Sequence, residues 1–227
     1  MIERLVGQHI RCVLFDLDGT LADTAPDLGS ALNRTRIEDG LDALPLAQLR
    51  PVTSQGVRGL LREGYGLSPD HPRYPELAER VLRHYTENIC VGTALFAGME
   101  PLLQQLEAAS IKWGIVTNKH ARFTTPLVAA LGLAQRASCV VSGDTTARPK
   151  PAPDPLLHAA AEVGVAPAQC VYLGDDERDI VAARAAGMLS VAVRWGYISS
   201  DKPIEAWGAD RIIDQPLEVL DYISRTT

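Results

Sequence analysis

The chain has 227 residues, which is long enough for one large domain or for one domain with a smaller insertion. Hydrophobic residues make up 46% of it, and the net charge is −6 at pH 7. This composition predicts a globular protein that binds neither nucleic acid nor an anionic membrane. No signal peptide opens the chain and no run reaches membrane-spanning length, so we expect a soluble cytoplasmic protein.

The cysteines give no sign of a metal site or a disulfide framework. They form no CxxC pair and have no zinc-ligand spacing, and three of them lie in or beside apolar runs. We therefore expect free, mostly buried thiols in a reducing compartment at Cys12, Cys90, Cys139 and Cys170.

Short apolar runs alternate with helical patterns, which predicts an α/β domain with a mostly parallel sheet flanked by helices. The predicted strands are Cys12–Phe15, Trp113–Val116, Cys139–Val141, Cys170–Leu173, Ser190–Val193 and Arg211–Ile213. The predicted helices are Met99–Ala109, Thr125–Leu131, Asp154–Val163, Arg178–Ala186 and Pro216–Ser224.

The segment after the first strand breaks this alternation. Between about Thr24 and Thr93 no strand pattern is found, while apolar residues such as Leu28, Leu32 and Leu77 recur at helical spacing. We therefore predict an α/β core made of residues 1–23 and 94–227, interrupted by an all-helical domain at 24–93.

The first candidate site follows the first strand, in the sequence DLDGT. Asp16 and Asp18 are two residues apart in an extended chain, so their carboxylates face the same side. The carboxyl ends of parallel strands face the ligand crevice in open α/β sheets. A simple turn at Asp18-Gly19 is the alternative interpretation, although Thr20 behind it makes that less attractive.

Two further candidates lie later in the chain. Thr117 and Asn118 follow the second strand, where a hydroxyl and backbone N–H groups can hold phosphate oxygens, although a plain polar loop would look similar. Lys150 stands between Pro149 and Pro151, which restrict the backbone as a fixed catalytic cation requires. Taken alone, this pattern more often belongs to a solvated lysine in a proline-rich loop.

The fourth candidate is the sequence GDDERD after the fourth predicted strand. Its aspartates, Asp175, Asp176 and Asp179, provide hard oxygen ligands of the kind that Mg²⁺ prefers. Acidic residues also stabilise helix N-termini, so we expect Asp175 to serve a metal and Asp176 or Asp179 partly to serve the helix.

The four motifs in this order, DLDGT, TNK, KPAP and GDDERD, resemble the haloacid dehalogenase superfamily of phosphatases over essentially the whole chain. The resemblance implies a Rossmann-like core, and the helical insertion looks like that superfamily's C1-type cap. VTNKHARF and GDDERDI further resemble phosphoglycolate phosphatases and N-acetylmuramic acid 6-phosphate phosphatases. The resemblance implies a Mg²⁺-dependent hydrolase whose substrate is a small phosphorylated metabolite, with 2-phosphoglycolate as the first candidate. It further implies a monomer or a homodimer.

The resemblance also implies roles for the motif residues. Asp16 would be the nucleophile and Asp18 the general acid and base. Mg²⁺ would be held by Asp16, the Asp18 backbone carbonyl and Asp175, with Asp176 and Asp179 behind them. Lys150 would neutralise Asp16, and the phosphoryl group would be held by Thr117 and Asn118, with Gly19 and Thr20 next to it.

Single residues distinguish this sequence from several related classes of enzyme. Haloalkanoate dehalogenases lack the second aspartate, whereas Asp18 is present here. Phosphonatases need a cap lysine, and no lysine lies between Asp16 and Lys112. Phosphohexomutases share the core motifs and remain a possible alternative, as does a non-catalytic phosphate-binding module.

The cap is expected to select the substrate. We predict a recognition loop at residues 51–58, in which Arg58 clamps a substrate carboxylate, although a solvated Arg58 is the equal alternative. We expect His120 to be an exposed loop residue, and the aromatic residues Trp195, Tyr197 and Trp207 to pack near the sheet edge.

Overall fold

The computed structural model describes residues 10–198 and 202–223. Six parallel strands form the central sheet: β1 (Cys12–Phe15), β4 (Lys112–Val116), β5 (Val140–Val141), β6 (Cys170–Gly174), β7 (Leu189–Val193) and β8 (Arg211–Ile213). Two short strands, β2 (Ala22–Asp23) and β3 (Ala94–Leu95), pair antiparallel beside it. The order of the central sheet is β5-β4-β1-β6-β7-β8, so the predicted parallel α/β core is confirmed.

The α-helices of the described residues are α1 (Ala25–Glu38), α2 (Leu46–Leu49), α3 (Gly56–Tyr65), α4 (Tyr74–Glu87), α5 (Met99–Ala108), α6 (Ala121–Ala130), α7 (Asp154–Val163), α8 (Glu177–Ala185) and α9 (Leu220–Ile223). The predicted start of α6 at Thr125 was wrong, because Pro126 lies inside this helix and not in its first turn. The predicted helix Pro216–Ser224 is divided into a 3₁₀ turn, Pro216–Val219, and α9, while Ser224 lies outside the described residues.

Burial on both faces explains the continuous apolar runs of the sheet. In β1, Val13 and Phe15 join a cluster with α5 and α6, while Cys12 and Leu14 join a cluster with α7 and α8. All four side chains are fully buried. The helices therefore cover the sheet from both sides and fix where its strands end.

Residues 24–93 are all described, and they contain helices α1 to α4 but no strand. They have a hydrophobic cluster of their own, which Phe123 of α6 also joins. Asp27 connects the two ends of the insertion, because its buried carboxylate accepts N–H groups from Val91, Gly92 and Thr93 at 2.8–3.0 Å. The insertion thus forms a helical cap whose two ends are joined to each other at its base.

The sheet order determines where the polar motifs meet. β1 lies between β4 and β6 and pairs in parallel with both. The residues that follow these three strands therefore converge at one edge of the sheet, in the crevice typical of open α/β folds. The cap lies above this edge.

The structure also bears on the cysteines and on membrane crossing. All four cysteines are free, and three of them, Cys12, Cys139 and Cys170, are buried. Across residues 10–198 and 202–223, no helix has the length and apolarity needed to cross a membrane.

Candidate active site

Three carboxylates meet at the floor of the crevice. Asp16, Asp175 and Asp179 each place an oxygen within 4.8 Å of the other two. Burial raises the pKa of Asp16 to about 7 although Lys150 opposes the shift, and burial together with Asp16 and Asp179 raises the pKa of Asp175. These carboxyl groups are buried and close together, so each resists ionisation. A hard divalent cation would be bound by such oxygen ligands and would compensate their negative charge.

Lys150 provides the local positive charge. Its Nζ lies 2.9 Å from Asp16 Oδ1 and 2.7 Å from Asp179 Oδ1, and it donates to Tyr172 Oη at 2.7 Å. Burial disfavours its charge, but Asp16 and Asp179 outweigh burial and raise its pKa. Lys150 is therefore held as a cation directly beside Asp16.

Asn118 fixes the backbone of Lys150 through two hydrogen bonds. Its side-chain amide donates to the Lys150 carbonyl at 2.9 Å, and the Lys150 N–H donates to Asn118 Oδ1 at 3.0 Å. The side chain of Asn118 is therefore engaged with the protein, while Thr117, which is 2% exposed, lies beside it in the cavity wall.

Asp175 is surrounded by hydrogen-bond donors. Thr20 Oγ1 donates to its Oδ1 at 3.1 Å, while the Tyr197 N–H and Ser54 Oγ donate to its Oδ2 at 2.8 Å and 3.2 Å. Gly19 makes this position possible, because a Cβ there would lie 2.1 Å from Asp175 Oδ2. The predicted phosphate contacts Gly19 and Thr20 thus lie against Asp175 and are not among the described residues that line the cavity.

The other two aspartates of GDDERD have different surroundings. Asp176 caps α8, where its Oδ1 accepts the Arg178 N–H at 2.9 Å, and it also pairs with the Arg178 side chain at 2.8 Å. Asp179 belongs to the carboxylate cluster and, through Oδ2, accepts the Asp176 N–H at 3.2 Å. Asp179 therefore lies next to Lys150, whereas Asp176 serves the helix.

Asp18 faces a second lysine, Lys119, which was not among the predicted site residues. Lys119 Nζ lies 2.7 Å from Asp18 Oδ1, which also accepts a hydrogen bond from Thr24 Oγ1 at 2.6 Å. Burial opposes the charge of Lys119, but Asp18 and Tyr85 outweigh it and raise its pKa. The position of Lys119 in TNK was visible in the sequence, but its pairing with Asp18 depends on the sheet order.

A cavity of about 340 Å³ lies between this floor and the cap. Cap residues 53–57, in the predicted recognition loop, line it, but Arg58 is exposed and is not among the described lining residues. His120 is exposed at the mouth, as predicted, with Nδ1 3.6 Å from Asp144 Oδ2. The remaining walls are partly apolar and include Leu28, Leu82 and Phe123.

The aromatic residues near the sheet edge have a more specific role than predicted. Trp207 is buried in a cluster beside α8, and Trp195 Nε1 donates to the Thr20 carbonyl at 2.9 Å. Tyr197 is buried against Asp175, and its hydroxyl donates to Asp23 at 2.7 Å. The sequence offered no signal for this contact, because it joins residues 174 positions apart.

Comparison with known proteins agrees with this geometry. The family model for haloacid dehalogenase-like hydrolases matches residues 13–193. The chain is 48% identical over 206 residues to a phosphoglycolate phosphatase of Xanthomonas campestris pv. campestris, covering 91% of this chain and 93% of that protein. It is 40% identical over 217 residues to an N-acetylmuramic acid 6-phosphate phosphatase of Pseudomonas aeruginosa, covering 96% of both.

A solved structure shows the same fold. A crystal structure from Haemophilus somnus, described as a predicted phosphoglycolate phosphatase, superposes with a TM-score of 0.81 at 25% identity and covers 93% of this chain and 97% of its own. The family model spans well over half of the chain and the relatives cover nearly all of it. The chain therefore belongs to the haloacid dehalogenase-like hydrolase family, and it is a phosphatase.

Proposed function

We propose that this phosphatase is Mg²⁺-dependent and transfers the phosphoryl group of a small phosphorylated acid first to Asp16 and then to water. The observation that carries the proposal is the surroundings of Asp16. Its carboxylate lies at the floor of the cavity, 2.9 Å from the Lys150 ammonium group and within 4.8 Å of oxygens of Asp175 and Asp179.

The acidic floor fits a magnesium ion in the kind and number of its ligands. Asp16 and Asp175 would hold the ion together with the backbone carbonyl of Asp18, and Asp179 would support them beside Lys150. A bound Mg²⁺ would supply positive charge against the repulsion between a carboxylate and a phosphate dianion, which is about 4 kcal/mol per charge pair at 4 Å and an effective dielectric of 20.

The side chains suit a double displacement. Asp16 attacks phosphorus, the bond from phosphorus to the ester oxygen breaks, and Asp18 protonates the departing oxygen. Water then attacks the aspartyl-phosphate while Asp18 takes its proton, which frees Asp16 and inorganic phosphate. Lys150, Thr117 and the Asn118 N–H stabilise the phosphoryl oxygens. The proton transfers by Asp18 are general acid and base catalysis, which typically accelerates a reaction about 10²–10⁴-fold.

The substrate is proposed to carry a carboxylate as well as a phosphate. The resemblance places 2-phosphoglycolate first, and the Xanthomonas relative is named for it, while the Pseudomonas relative is named for N-acetylmuramic acid 6-phosphate. The size of the cavity favours the second candidate. A volume of about 340 Å³ is in the range of pockets that enclose drug-sized ligands, and a two-carbon acid would leave much of it to water.

The proposal is tested by measuring phosphate release from both acids. Release should require Mg²⁺, stop in EDTA, and fail to recover with Ca²⁺, which prefers more and longer oxygen contacts. Each substrate molecule consumed should give one phosphate, and glucose 1-phosphate with a trace of glucose 1,6-bisphosphate should give no rapid glucose 6-phosphate. Full turnover in EDTA, or rapid isomerisation, would contradict it.

A further inference from the structure

A second groove opens beside the active-site cavity, between α4 and α6, with a volume of about 520 Å³. Three side chains line both spaces: Leu82, Arg122 and Phe123. The groove therefore continues the cavity away from Asp16. A ligand whose phosphate lies at Asp16 can extend past these three residues, provided that it is long enough.

Among the residues that the structure describes, the charges of the lining side chains identify one free cation at this junction. The other lysines and arginines of the cavity already face carboxylates: Lys119 faces Asp18, Lys150 faces Asp16, and Arg178 faces Asp176. Arg122 forms no ion pair within the described part of the chain. Its guanidinium instead lies 4.5 Å from the ring centroid of Phe123, a contact that orients it without neutralising it.

The groove adds a second unpaired arginine. Arg83 of α4 is exposed, lines the groove only, and likewise has no ion pair among the described residues. Glu79 also lines the groove, so Arg122 and Arg83 leave a net charge of +1 there, next to the apolar surfaces of Leu82 and Phe123. Such a combination suits a ligand that has both an anionic group and an apolar face, because guanidinium groups bind carboxylates bidentately.

We propose that Arg122 binds a substrate carboxylate at this junction, and that the substrate is a phosphorylated sugar acid whose ring separates the carboxylate from the phosphate. The proposal rests on the function proposed above and chooses between its two substrates. The sugar ring would lie against Leu82 and Phe123, while the phosphate remains at Asp16. 2-Phosphoglycolate has a single methylene group between its ester oxygen and its carboxylate, and no ring to lie against Leu82 and Phe123.

A pair of substrates isolates the carboxylate. N-acetylmuramic acid 6-phosphate and N-acetylglucosamine 6-phosphate share the ring, the acetamido group and the phosphate, but only the first carries the lactyl carboxylate. Arg122→Ala should lower kcat/KM for the acid about 10- to 100-fold, mainly through KM, since a charged hydrogen-bonded pair is lost. For N-acetylglucosamine 6-phosphate, kcat/KM should change less than about two-fold, because that substrate has no carboxylate for Arg122 to bind.

Two further variants control for charge and folding. Arg122→Lys keeps the charge but not the planar fork, so its loss with the acid should be intermediate. Arg34→Ala removes an exposed arginine of α1 that lines neither space and should leave both substrates unaffected. The melting temperature of each variant reports whether the fold is intact.

The outcomes separate this inference from the function on which it rests. An equal loss with both sugar phosphates, or no loss with either, would overturn the role of Arg122. Efficient hydrolysis of 2-phosphoglycolate alone would overturn the substrate class and leave the hydrolase standing. Failure to hydrolyse any phosphomonoester would overturn both.

Discussion

The ammonium group of Lys119 lies 2.7 Å from the carboxylate of Asp18, and only 9% and 15% of the two side chains are exposed. Asp18 is the proposed general acid, so Lys119 is placed to orient the group that protonates the leaving oxygen. Thr24 Oγ1 donates a hydrogen bond to Asp18 Oδ1 at 2.6 Å. The ring centroid of Tyr85 lies 4.9 Å from Lys119 Nζ.

We predict that Lys119→Met impairs catalysis through Asp18. With an alkyl phosphate, kcat/KM should fall about 10²-fold, the lower end of what general acid catalysis supplies. With p-nitrophenyl phosphate, whose leaving group needs no proton, the loss should be less than about five-fold. Lys119→Arg is the matched control and should recover part of the activity. Equal losses with the two substrates would show that Lys119 acts on phosphate binding instead.

The neighbouring aspartates of GDDERD give a prediction on metal binding. Asp175→Asn should abolish the rise in melting temperature that Mg²⁺ causes, because it removes a proposed ligand. Asp176→Ala should lower the free energy of unfolding by about 1 kcal/mol through loss of the helix cap, yet keep the Mg²⁺ response. Thermal unfolding with and without Mg²⁺ measures both, and a normal Mg²⁺ response in Asp175→Asn would remove Asp175 from the metal site.

Two glycines with similar backbone angles give a prediction on the packing of Asp175. Gly19 and Gly132 have φ of 85° and 73°, but only at Gly19 would a Cβ meet a neighbour, 2.1 Å from Asp175 Oδ2. Gly132→Ala should cost about 1 kcal/mol of stability from backbone strain and leave activity unchanged. Gly19→Ala should cost more and abolish Mg²⁺-dependent turnover. Unfolding in urea and activity assays compare the two, and an active Gly19→Ala enzyme would contradict the proposed position of Asp175.

Strands β1, β6 and β7 could be predicted from the sequence because each is buried along its whole length and reads as an apolar run. Cys12–Phe15 matches β1 in full. The ends of helices were less accessible: α6 was predicted to begin at Thr125 but begins at Ala121, with Pro126 inside the helix. The candidate site could be predicted only in part, because contacts such as that of the Tyr197 N–H with Asp175 depend on how the chain runs through the sheet.

The prediction that Arg58 binds a substrate carboxylate shows the same limit of the sequence. Arg58 has the right chemistry for a carboxylate and is the last residue of the predicted recognition loop. The structure places residues 53–57 of the loop in the cavity wall, but Arg58 is exposed and is not among the described lining residues. Helix α3 starts at Gly56, so successive side chains turn by about 100° and only those before Arg58 face the cavity. Arg122, in the sequence HARF, has the same chemistry and the position that Arg58 lacks.

The central claim is that Asp16 carries the phosphoryl group. The most direct measurement uses Asp18→Asn with p-nitrophenyl phosphate and Mg²⁺, because this leaving group departs without an acid while hydrolysis of the phosphoenzyme lacks its base. After an acid quench, mass spectrometry of the peptide that contains residue 16 should show one phosphoryl group on Asp16. The double variant Asp16→Asn/Asp18→Asn should show none. A phosphoryl group on another residue, or substantial turnover by Asp16→Asn alone, would contradict the account.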